Sequence, residues 1–158
     1  MENWGLHRNV MQKFAKHYQS AEVISDTLLD KLQDLGTFNT GFRTTEYLAA
    51  SYLDLAWHMI EEVPADAQAF ERSVMERIGM IPEIAVRYRS TYFAHIFAGG
   101  YAAGYYSYMW SEVLDSDAFS LFEERGLYDQ DTAAGLRTLV YGSGNTVDTM
   151  DQYVRFRG

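Results

Sequence analysis

Apolar positions recur along the chain at helical spacing, and no run alternates apolar and polar residues as a half-buried strand would. Leu28, Leu29, Leu32 and Leu35 share one side of a segment that Asp26 can cap and Gly36 can stop. Leu48, Tyr52, Leu55 and Met59, at i, i+4, i+7 and i+11, predict a helix from about Thr44 to Glu62, ended by Pro64. Phe70, Val74 and Ile78 continue the period from about Ala65 to Gly79, and Pro82 opens an irregular link toward Arg87. A tyrosine-rich helix is expected next, reaching about Asp115, followed by a short helix over Ala118 to Glu124 stopped by Gly126. Asp129 or Asp131 can cap another through Val140; Gly142-Ser143-Gly144-Asn145 reads as a turn, and a last helix carries Val147, Met150 and Val154. No repeat or low-complexity linker interrupts this pattern, so the expectation is an all-α chain, a single helical segment over residues 1–158.

A chain of 158 residues can bury about two-thirds of the surface its unfolded form exposes, enough for a modest core. The formal net charge of −9 opposes nucleic-acid binding, which relies on lysine and arginine neutralising phosphates; Arg87/Arg89 and Arg155/Arg157 are too few to alter that. With no cysteine there are neither disulfides nor thiolate metal sites, and the redox compartment stays open. The polar N-terminus lacks an apolar leader, and no apolar run approaches the ~18 residues that span a bilayer, so no membrane association is expected.

The stretch Arg87–Trp110 concentrates candidate chemistry: His95, the pair Gly99-Gly100 and six tyrosines in 24 residues. If the chain is helical after the glycines, Tyr101, Tyr105 and Tyr108 stand at i, i+4 and i+7 and align their phenols on one face, while Tyr106 points elsewhere. Gly99 and Gly100 disfavour helix, which makes the segment bearing His95 a loop or a fraying helix start. Phenol and imidazole donors aimed at a carbonyl oxygen that becomes an oxyanion can stabilise acyl-transfer transition states, although donors without a nucleophile catalyse little. The competing reading is a core helix in which Ala98, Gly99, Gly100, Ala102, Ala103 and Gly104 admit a close neighbour, and His95 is a satisfied core histidine.

Other polar clusters read as ordinary structure. Glu61-Glu62, Glu123-Glu124 and Asp129-x-Asp131 suit solvated helix ends and caps; Trp4, Trp57 and Trp110 suit core anchors. Neither glycine cluster has the lysine of a phosphate loop.

The order Phe93, His95, Gly99, Gly100, Tyr101, Ala103, Tyr105, Tyr106, Tyr108, Trp110 resembles the C-terminal region of M3-family zinc peptidases. Glu2-Asn3-Trp4, Ala15-Lys16-His17-Tyr18 and Phe156-Arg157-Gly158 extend the likeness over nearly the whole chain, and Phe38-Asn39-Thr40-Gly41-Phe42, Leu53-Asp54-Leu55-Ala56-Trp57-His58 and Arg87-Tyr88-Arg89-Ser90 resemble most the peptidyl-dipeptidase branch. The family's H-E-x-x-H zinc motif is not in this sequence, and His7, His17, His58 and His95 include no pair at i, i+4. By the resemblance, Glu2 lies downstream of the third zinc ligand.

What the resemblance implies is a C-terminal fragment of a zinc-dependent peptidyl-dipeptidase that removes C-terminal dipeptides from oligopeptides. It implies Tyr108 as oxyanion donor with His95 assisting, and Tyr101, Tyr105, Gly99 and Gly100 in substrate binding. Zinc would belong to the full-length parent, with none bound by this chain, which alone would be inactive. The expected partners are an oligopeptide and the missing N-terminal part of the same enzyme, with self-association of the fragment through uncovered apolar surface. A cytoplasmic location is expected, with a periplasmic or secreted parent as alternatives. The competing function is a stand-alone helical module that binds a peptide or partner helix without catalysis.

Overall fold

A computed structural model describes residues 2–158; Met1 and the side chain of Glu2 lie outside the described residues, and with them the placement of Glu2 relative to a metal ligand. The helices are α1 (Glu2–Leu6), α2 (Arg8–Phe14), α3 (Asp26–Thr37), α4 (Thr40–His58), α5 (Ala67–Arg77), α6 (Ala94–Phe97), α7 (Ser107–Arg125), α8 (Gln130–Gly135) and α9 (Thr149–Arg157). A 3₁₀ turn covers Ser90–Tyr92 and a π-helical stretch covers Leu136–Tyr141. Among the described residues the only extended pairing is an isolated antiparallel bridge between Lys16 and Val23, so the chain is all-α as its periodicity predicts. No described helix is long and apolar enough to cross a membrane. The chain divides into two compact units, Asp26–Trp110 and the combination of the residues up to Ser25 with Ser111–Gly158.

In the Asp26–Trp110 unit, α3 runs through Gly36, and the break falls at Asn39, which takes the left-handed conformation (φ 54°). Asparagine tolerates that geometry, so the break comes three residues later than the glycine predicts. α4 starts four residues earlier than expected and ends at His58, whose Nδ1 bonds the Asp54 carbonyl oxygen at 2.8 Å. Its buried face also differs from the predicted stripe. Ala49, Ala50, Leu53 and Asp54 are buried, whereas Leu48, Tyr52 and Met59 are exposed. α5 keeps the predicted stripe through Val74, capped by the Asp66 side chain on the amides of Gln68 and Ala69. The core gathers Ala50, Phe93, Ile96 and Tyr105, with Tyr47, Trp57 and Tyr88 against them. Trp57 anchors as expected, its indole N–H donating to the Ser90 hydroxyl at 2.9 Å. Trp110 does not: it is 64% exposed, two positions from Tyr108 and so on another side of the helix.

In the other unit, Leu121, Phe122 and Phe156 form the core, and Trp4 packs edge-on to Phe119 and Phe122 while donating to the Leu127 carbonyl. The tyrosine helix expected to about Asp115 and the short helix expected over Ala118 to Glu124 are one, since no glycine or proline interrupts the chain before Gly126, which stops it at φ 125°. Asp129 caps α8 through the Thr132 amide, but the helix does not continue regularly to Val140: from Leu136 it widens into π turns closed by Gly142 N–H on the Arg137 carbonyl (2.7 Å). α9 begins after the Asp148 cap, leaving Val147 outside it. Tyr153 and Arg157 of α9 both bond Asp117 of α7. Burial together with that carboxylate pushes the Tyr153 phenol up to about 12, and the Tyr153 hydroxyl and Arg157 hold Asp117 below the usual carboxylate range.

Candidate functional site

The segment from Arg89 to Tyr108 follows no single regular path. Its upstream end is fixed by Glu71 of α5, a carboxylate buried within the unit that accepts from the backbone N–H of Ser90 (2.9 Å), the Ser90 hydroxyl (3.1 Å) and the Arg89 guanidinium. The 3₁₀ turn and α6 follow, so His95 lies in a short helix rather than a loop. Buried Phe93 and Ile96 flank it in sequence and root that helix in the core, while the imidazole stays partly accessible.

Gly99 and Gly100 then turn the chain. A Cβ at Gly99 would stand 2.9 Å from the His95 carbonyl oxygen, closer than real side chains approach, and Gly100 adopts φ +83°. The turn lets the Tyr101 N–H donate to the His95 carbonyl at 3.1 Å, tying the two residues together through the backbone.

The expected helix through Tyr101–Tyr106 is replaced by consecutive turns, and α7 begins only at Ser107. Asp54 of α4, fully buried, opposes the expected helix by accepting from the Ala103 N–H (2.9 Å) and from the Tyr105 N–H (2.8 Å), the second of which a helix would give to the Tyr101 carbonyl. Ala103 accommodates by a left-handed turn (φ 53°).

The three tyrosines nevertheless converge. Tyr101 and Tyr108 stack with ring centroids 5.1 Å apart, and Tyr105 meets Tyr108 edge-on at 5.3 Å. His95 lies 6.2 Å from the Tyr101 ring, 5.8 Å from Tyr105 and 5.0 Å from Tyr88. Tyr106 stands outside this cluster of rings and is exposed.

Their accessibilities differ. Tyr101 and Tyr108 are 38% and 40% exposed, whereas Tyr105 is 4% exposed. Burial pushes the Tyr105 phenol up, partly opposed by the Arg87 guanidinium. Desolvation pulls Arg87 down, but its hydrogen bonds to Tyr105 and Glu46 outweigh it and leave it raised. Tyr105 thus meets Tyr108 from the buried side.

Hydrogen bonding with the Tyr101 hydroxyl, then partial burial and the neighbouring phenols, pushes Tyr108 up to about 12. Because the unfolded phenol ionises near 10, the unfolded state loses its proton first, and the stabilisation present below about pH 10 is lost as pH rises toward 12. An alkaline absorbance titration of the folded protein should therefore show the Tyr108 phenolate missing from the rise near pH 10 and arriving near pH 12; Tyr108→Phe should abolish that late increment. Tyr153 contributes a second late increment that the substitution leaves in place.

Among the described residues no three histidine, aspartate or glutamate side chains gather in a group that could hold a metal ion. The cluster itself offers phenols and one imidazole, hydrogen-bond donors rather than the three or four nitrogen, sulfur and carboxylate ligands of a zinc site. Among the described residues, this cluster does not supply the ligand set of the zinc that the resemblance implies.

A family model described as Peptidase family M3 matches residues 1–158. The chain belongs to this family. It is 39% identical over 160 residues to the dipeptidyl carboxypeptidase of Escherichia coli (strain K12), covering 99% of this chain and 24% of that protein. It is 37% identical over 165 residues to the probable cytosolic oligopeptidase A of Arabidopsis thaliana, covering 100% of this chain and 23% of that protein. Against the oligopeptidase A of Escherichia coli (strain K12) the identity is 32% over 160 residues, with 100% and 24% covered. The chain thus spans about a quarter of the length of the curated relatives it matches.

Two residues central to this M3 segment's geometry, Asp54 and Glu71, do not stand out as functional in the sequence. A signal is nevertheless present. It is legible for Glu71 alone, which stands three and seven residues before Val74 and Ile78 and so beside the apolar stripe of its helix, where a carboxylate needs hydrogen-bond partners; Asp54 lies off the stripe that the sequence of α4 offers.

Proposed function

We propose that this M3 chain is the C-terminal part of a peptidyl-dipeptidase and forms one wall of its peptide-binding site. In the complete enzyme Tyr108 would donate to the scissile carbonyl oxygen as negative charge develops there, with His95 as a second donor. Tyr101 would hold the peptide backbone beside it, Tyr105 would fix the Tyr108 ring from behind, and Gly99 and Gly100 would let the backbone approach the ligand closely. The observation that carries this reading is the convergence of accessible Tyr101 and Tyr108 with His95, although no regular helix aligns them. The nucleophile, the general base and the zinc implied by the resemblance would lie elsewhere in the parent, so the chain alone is inactive in this reading. Its partners are an oligopeptide and the rest of the enzyme. Leu32, Leu35 and Phe38, exposed in the Asp26–Trp110 unit, favour self-association when the chain is isolated. The name of the Arabidopsis relative favours a cytoplasmic location.

The test is to incubate N-acetylated oligopeptides with the full-length protein and follow the products by mass spectrometry. Stepwise loss of dipeptides from the C-terminus is expected, and none with the isolated chain. Internal cleavage alone, or removal of N-terminal residues, would overturn the dipeptidase assignment.

A further inference from the structure

The tyrosine turn is clamped from one face of α4. Asp54, fully buried, takes the amides of Ala103 and Tyr105 on its two oxygens, and His58 Nδ1 lies 2.9 Å from Oδ1. Seven residues earlier, and hence on the same side of the helix, the Tyr47 hydroxyl donates to the Tyr105 carbonyl (2.8 Å) and accepts from the Met109 N–H (3.2 Å). The peptide groups on both sides of Tyr105 are therefore held, one by a carboxylate and one by a phenol, and the second clamp reaches the residue after Tyr108.

We infer that Asp54 and Tyr47 are positioning residues for Tyr108, setting where its hydroxyl stands without touching the substrate; this rests on the donor role proposed above. The alternative path open to residues 101–106 is the helix their sequence predicts. Loss of the clamp would let the Tyr105 amide return to its helical partner, the Tyr101 carbonyl, and rotate the turn. A displacement near 1 Å at a reacting group can cost about 10²-fold in rate. Asp54→Asn presents one acceptor and one donor to two N–H groups, so one amide bond is lost; Tyr47→Phe removes a hydroxyl and keeps the ring.

The experiment is a double-mutant cycle on the full-length enzyme, with kcat and KM measured separately. Asp54→Asn is expected to lower kcat about 10- to 10²-fold with KM little changed. In a Tyr108→Phe background the same change is expected to lower kcat by less than about twofold, because the hydroxyl it positions is already gone. Equal losses in both backgrounds would make Asp54 a purely structural residue and overturn the inference, as would an unchanged kcat. If Asp54→Asn does not fold, Tyr47→Phe runs the same cycle, with an expected loss of about three- to tenfold confined to the Tyr108 background. A normal kcat for Tyr108→Phe alone would remove the donor role and this inference together. A large Tyr108→Phe effect with no coupling would remove only the inference.

Discussion

Replacing Tyr108 by phenylalanine in the full-length enzyme is expected to lower kcat roughly 10²- to 10³-fold with little change in KM. The change deletes one oxygen. The ring that stacks on Tyr101 and meets Tyr105 edge-on remains, so the turn and its anchors should persist. What would disappear is the donor proposed above, whose phenol the Tyr101 hydroxyl pushes up to about 12. Removing one oxyanion donor typically costs about 2.7–4 kcal/mol of transition-state stabilisation. An interaction that strengthens only as charge develops lowers kcat rather than substrate affinity. Steady-state kinetics on a chromogenic or quenched peptide checks this, and a variant with parental turnover would end the assignment.

The second large effect is on stability. Phe93→Ala is expected to destabilise the fold by about 3–5 kcal/mol, read as a lower urea midpoint with an unchanged m-value. Phe93 is the largest of the fully buried side chains, stacked on Tyr88 (4.9 Å) and edge-on to Tyr105 (5.0 Å). A cavity there would undercut the residues between which His95 sits. Phe93→Leu, which keeps most of the volume, should recover much of the loss.

Sequence periodicity conveys the class of the fold and the stripe of α5, because an apolar repeat of 3.6 residues places its side chains on one face only if the backbone is helical. It misassigns the buried side of α4. Leu48, Tyr52 and Met59 outrank Ala49, Ala50 and Asp54 in hydrophobicity, yet close packing under the tyrosine turn needs small residues and a carboxylate. The candidate site residues are named by the resemblance that His95, Gly99-Gly100 and the tyrosines carry, since their spacing alone fits a core helix as well, and neither conveys their geometry. Tyr101, Tyr105 and Tyr108 satisfy a helical template while their backbone forms turns, and the partner that opposes the helix, Asp54, lies 49 and 51 positions away in sequence from Ala103 and Tyr105. Local propensity carries no record of a hydrogen bond closed over such a distance.

The two buried carboxylates that pin Ser90 and the Ala103–Tyr105 turn also limit what protein engineering can borrow from this chain. A synthetic peptide spanning residues 87–110 would contain every tyrosine and the histidine of the cluster, but neither Glu71 nor Asp54. Free in water, its turn amides would have solvent to satisfy them. The smallest transplantable unit is therefore discontinuous: the tyrosine segment together with α4 and α5.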